Sequence, residues 1–79
     1  PDFEVYPNPA DDRITVRMNN AGMPFVAVVA DITGKELLEA ESETGLLQID
    51  CSKLKPGMYS LIIRSTYGVK QAKKLVVTR

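Results

Sequence analysis

The chain has 79 residues, ten Lys plus Arg, ten Asp plus Glu and no His, which describes one small neutral domain rather than a multidomain enzyme. Its 44% apolar content is ordinary for a globular fold and too high for a disordered tail, although a chain this short buries only about 60% of its unfolded surface. Neutrality removes the usual electrostatic case for nucleic acid, while the lack of His removes Ser-His and Cys-His nucleophile pairs and imidazole zinc ligands.

In chain order, the first predicted strand is Phe3–Tyr6. Pro7-Asn8-Pro9 ends it, because two of the three residues donate no amide and have fixed φ. Asp11 and Asp12, beside Asn8, could offer oxygen to calcium, but they lack the alternating acids, Gly turn and terminal Glu of a calcium loop, so a carboxylate-capped loop is the expectation. Ile14, Val16 and Met18 then alternate with Arg13, Thr15 and Arg17, the period of a half-buried strand. Phe25–Ala30 is apolar throughout and Val-rich, as in a central strand covered on both faces or a core strand with Ala spacers. Asp31-Ile32-Thr33-Gly34-Lys35 contains fragments of phosphoryl-transfer motifs without the helix or large α/β domain these require. It reads as a hairpin in which Asp31 accepts from turn amides and Gly34 takes positive φ.

Residues 35–43 are rich in Glu, Leu and Ala, which are good helix formers. Gly34 and Gly45 bound the segment tightly and a nine-residue helix is marginal alone, so 36–41 is assigned as a strand. Leu46–Asp50 follows, then Cys51 at a position suited to a small buried side chain, with an intermolecular disulfide as the alternative. Leu54-Lys55-Pro56-Gly57-Met58-Tyr59 has the spacing of a sandwich corner: Leu54 plugs the core, Gly57 permits the turn, and the Tyr59 hydroxyl returns to upstream backbone. Tyr59, Leu61 and Ile63 alternate along the next strand, and residues 69–77 form the last. Seven short strands with Gly and Pro punctuation indicate an antiparallel sandwich or barrel.

Charge order is less even than total charge. All ten acids lie within residues 1–50, against Arg13, Arg17 and Lys35, a net of seven negative. Residues 51–79 hold seven bases and no acid. The simplest expectation is that interleaved strands pair the two halves as surface ion pairs, each worth at most about 1 kcal/mol. Otherwise the C-terminal strand presents a basic ridge to an acidic partner. No apolar run approaches the roughly 18 residues of a membrane helix, so no direct membrane insertion is expected. The first residue, Pro1 in place of Met, suggests a piece of a longer chain, with any export signal upstream.

Taken together, Val5-Tyr6-Pro7-Asn8-Pro9-Ala10, then Asp31, Gly34 and Lys35, then Ile49-Asp50-x-Ser52-x-Leu54-x-x-Gly57-x-Tyr59, then Gly68 and Lys74-Leu75-Val76-Val77 resemble the C-terminal sorting domain of the type IX (Por) secretion system. The resemblance covers nearly all of the chain and rests on the order and spacing of motifs that are individually unspecific. Ala30 stands where the family tends to carry a larger side chain, and Cys51 replaces its usual Leu. The resemblance implies a seven-stranded antiparallel immunoglobulin-like β-sandwich, all-β, forming the C-terminal part of a larger secreted protein. It implies a non-catalytic signal without cofactors, read by the outer-membrane translocation machinery after the N-terminal cargo domain reaches the periplasm. A sortase-like cysteine protease then removes it and attaches cargo at the cell surface. The expected recognition element is the basic, apolar stretch 73–79, offering edge backbone to a transport component. The alternative is an immunoglobulin-like or fibronectin-like module for adhesion, carbohydrate binding or spacing. An enzyme would require an acid pair meeting in space that the linear sequence does not show.

Overall fold

Seven strands form where period-two alternation and turn residues place them: β1 (Phe3–Tyr6), β2 (Arg13–Met18), β3 (Phe25–Ala30), β4 (Glu36–Ser42), β5 (Leu46–Asp50), β6 (Gly57–Ser65) and β7 (Lys70–Val77). The structure, a computed structural model, describes residues 3–19, 22–65, 68 and 70–78. Strand identities match the sequence expectation throughout. Val69, the expected first residue of the last strand, lies outside the described residues.

The strands pair antiparallel into two sheets, β1-β2-β5 and β4-β3-β6-β7. This is consistent with an immunoglobulin-like sandwich in which the fourth strand joins the sheet of the third, sixth and seventh. The inner faces supply the core: Phe3, Ile14, Val16, Met18 and Ile49 from one sheet, and Phe25, Ala27, Val29, Leu61, Ile63, Leu75 and Val77 from the other. Cys51 and Leu54 close it from the segment between β5 and β6.

The helix-prone segment is β4. Its pairing to β3 runs from Phe25↔Ser42 to Ala30↔Glu36, with a bulge between Val29 and Ala30. Cross-strand pairing overrides the helix propensity of Glu, Leu and Ala, as it can for a short segment that has no helical nucleus of its own. The bulge leaves Leu37 unopposed and keeps Glu36 beside outward-facing Ala30, while Leu38 packs against the core. The chain then crosses between sheets at residues 42–46, where the buried Ser42 hydroxyl donates to the Leu46 carbonyl (2.7 Å) and accepts from the Thr44 amide (3.2 Å).

Candidate recognition surface

The hairpin and corner motifs form as their residue types require. One Asp31 carboxylate oxygen accepts from the Thr33 amide (2.9 Å), the Thr33 hydroxyl (2.6 Å) and the Lys35 amide (3.0 Å). Gly34 closes the turn at φ 92° and donates to the Asp31 carbonyl. These bonds, the Thr33 hydroxyl foremost, hold the Asp31 carboxyl below its ordinary value. At the corner, Leu54 is buried and the Tyr59 hydroxyl donates to the Lys55 carbonyl (2.5 Å). Tyr59 also packs on the core, which leaves its ring little freedom to serve as a binding aromatic.

Most of the residues singled out from the sequence gather at one end of the sandwich. Asp31, Leu37, Leu38, Lys53, Leu54, Lys55 and Tyr59 line a shared shallow depression. Gly57 pairs with Val77, Met58 with Val76, and Tyr59 with Leu75, which brings the corner beside the end of β7. Gly68 is the exception. It follows Ser65, whose carbonyl accepts from its amide (3.1 Å), at the opposite end of the β6–β7 ladder.

The loop Pro7-Asn8-Pro9-Ala10, whose two X-Pro bonds are both cis, lies along the free edge of β7. The Asn8 side-chain amide donates to the Lys74 carbonyl (2.9 Å), and its oxygen accepts from the Val76 amide (3.1 Å). Ala10 continues the pairing: its amide donates to the Val76 carbonyl (2.7 Å), and its carbonyl accepts from the Thr78 amide (2.8 Å). Asn8 thus stands in for a strand residue, and Ala10 forms a parallel bridge with Val77. The edge backbone expected to be open for pairing is therefore already occupied from Lys74 to Thr78. Nothing in the linear sequence joins Asn8 to residues 66 and 68 positions away.

Lys73 closes the next stretch of the same side. It pairs with Leu61 and so lies on the inner face, at the sheet margin. Its ammonium donates to the Phe3 carbonyl (2.8 Å) and sits 5.1 Å from the Phe3 ring centroid, joining the margins of the two sheets. An inward-pointing charge of this kind discourages further strand addition. Leu75 and Val77 are buried in the core, whereas Lys74 and Val76 point outward, away from it. The side chains that β7 leaves for a partner between 74 and 77 are therefore Lys74 and Val76.

Part of each charged half falls at an opposite margin of the four-stranded sheet. Glu36, Glu39 and Glu41 run along β4, one margin of the four-stranded sheet, and Lys70, Lys73 and Lys74 run along β7, the other. The Arg17–Glu4 ion pair (3.3 Å) lies wholly within the acidic half. Cys51 is fully buried in the core, as its position suggested.

The profile of the secretion system C-terminal sorting domain family matches residues 4–78, and the chain belongs to that family. No curated protein matches it. Among solved structures, it is similar to PorZ of Porphyromonas gingivalis, described as an essential bacterial surface component of the type-IX secretion system. The TM-score is 0.79 at 23% identity, covering 98% of this chain. The chain spans only 11% of the length of PorZ. It is also similar to CopC from Methylosinus trichosporium OB3b, with a TM-score of 0.60 at 17% identity, covering 98% of this chain and 92% of that one. At these identities the structural likenesses establish the fold, and the family match establishes the role: a signal for secretion through the type IX system, exported to the cell surface or beyond.

Proposed function

We propose that the chain is the C-terminal part of a larger secreted protein and works as a signal recognised in its folded form. Its cargo, N-terminal to this domain, passes through the periplasm to the outer-membrane translocation machinery. A sortase-like cysteine protease there separates domain from cargo. No chemistry is assigned to the domain itself; catalysis belongs to its partner. The family match over residues 4–78 carries this reading.

Recognition then rests on outward side chains near the end of β7, chiefly Lys74 and Val76, with the adjoining motif end of the sandwich. Pro7, Asn8, Pro9, Asp31, Gly34, Lys35, Leu54, Gly57, Tyr59 and Gly68 shape the domain, while Leu75 and Val77 anchor β7 in the core. The supporting observation is that Asn8 and Ala10 occupy the backbone edge of this stretch, so docking by strand addition would first require their displacement.

Removing residues 74–79 cannot test this, because Leu75 and Val77 would leave the core with them. The informative change is Lys74→Glu with Val76→Lys on an exported reporter. It should trap the reporter in the periplasm while the purified domain melts close to the parent temperature. Undiminished export by the folded variant would reject these side chains as determinants.

A further inference from the structure

The outer face of the four-stranded sheet carries an ordered charge pattern. Cross-strand registers place Glu41, Val26, Arg64 and Lys70 in one row, Glu39, Val28, Ile62 and Ala72 in the next, and Glu36, Ala30, Ser60 and Lys74 in the third. Acid thus lines one margin and base the other. Between them runs an apolar trough formed by Val26, Val28 and Ile62. Val28 is fully buried yet lies outside the core cluster, because it sits on this outer face beneath its neighbours. Val26 and Ile62 beside it remain half-buried, so a modest apolar strip is left between the charged margins.

We infer that this face associates with the same face of a second copy of the chain, related by a two-fold axis parallel to the strands. Charge complementarity selects both the occupant and the axis. A rotation about the strand direction lays β4 over β7 of the other copy and leaves each row opposite itself. Glu41 then faces Lys70 of the second copy and Glu36 faces Lys74, while in the middle row the half-buried Ile62 is the apolar side chain still open to the second copy, Val28 being covered by its own chain. The interface is isologous, so each contact is made twice. A two-fold axis across the strands would instead set Glu on Glu and Lys on Lys.

Four strands spaced about 4.8 Å apart, each contributing about six residues, offer roughly 400 Å² per copy. That is about half the area of a standard interface. The dimer is therefore weak and salt-sensitive, and forms at high micromolar to millimolar concentration. Its sheets would cross at about 30°, the usual angle of aligned packing.

The test is sedimentation equilibrium of the 79-residue chain up to about 1 mM in low salt, with reductant present to exclude a Cys51 disulfide, and again at about 0.5 M salt, where screening should weaken it. Two variants complete it. Lys70→Glu with Lys74→Glu makes both margins acidic, and Glu36→Lys with Glu41→Lys makes both basic. Each should be monomeric alone, and the two mixed should form a heterodimer, a result that misfolding cannot mimic. Circular dichroism on each variant verifies the fold. A monomeric parent at the highest concentration, dimerisation of either folded variant alone, or failure of the folded variants to pair would each overturn the inference. The outcome is independent of export.

Discussion

At the residue scale, single polar groups hold the turns, and their loss should be measurable one at a time. Tyr59→Phe keeps the ring on the core and removes the bond to the Lys55 carbonyl; it should cost about 0.5–1.5 kcal/mol by chemical denaturation. Asn8→Ala should cost about 1–2 kcal/mol through two lost bonds, and the Val76 amide should exchange with solvent markedly faster, as read by amide hydrogen exchange. Asp31 and Asp50 are both held below the ordinary carboxylate value, by Thr33 and Ser52 respectively. A depressed folded value means the carboxylates stabilise the fold fully at neutral pH and lose that contribution as pH falls through the folded values. Stability should therefore be flat from about pH 7 to 5 and decline below about pH 4, with a shallower decline in the Asp31→Asn, Asp50→Asn double variant. The roles of Asp31, Gly34 and Tyr59 were legible because each acts within five residues of its partner. Asn8 was legible only as a turn residue, since its partners on β7 become neighbours solely through the fold.

At the element scale, β7 does two jobs that alternate along its length. Leu75 and Val77 fill the core, while Lys74 and Val76 face outward. Leu75→Ala should cost about 2–5 kcal/mol and lower the melting temperature severely, in contrast to the mild effect expected of Lys74→Glu on the same scan. The sequence marked this stretch as a basic, apolar strand, but three consecutive apolar residues, Leu75-Val76-Val77, do not by themselves say which of them face outward. Nor could it show the state of the strand's edge. The loop between β1 and β2 covers the backbone from Lys74 to Thr78, and Lys73 reaches Phe3 across the adjoining margin. β4 carries the complementary lesson: its Glu, Leu and Ala favour a helix locally, and the turn glycines around it signalled the strand that pairing with β3 secures.

At the scale of the whole molecule, the balanced charge of the sequence resolves into a dipolar sheet. Acidic β4 and basic β7 lie at opposite margins of one sheet, an arrangement that depends on strand order and so could not be read from charge order alone. Seven strands in a sandwich or barrel followed from spacing and turns, and the choice of sandwich from the family resemblance; the partition of strands between the sheets followed from neither. The central claim is that these residues, folded as this sandwich, are sufficient as an export signal of the type IX system. The most direct measurement fuses residues 1–79 to the C-terminus of a reporter carrying an N-terminal export signal, in a bacterium that possesses the system, and locates it by cell fractionation and surface protease accessibility. The reporter should reach the cell surface or the medium, and only when the system is intact. A folded fusion that stays in the periplasm of the intact strain would contradict the account.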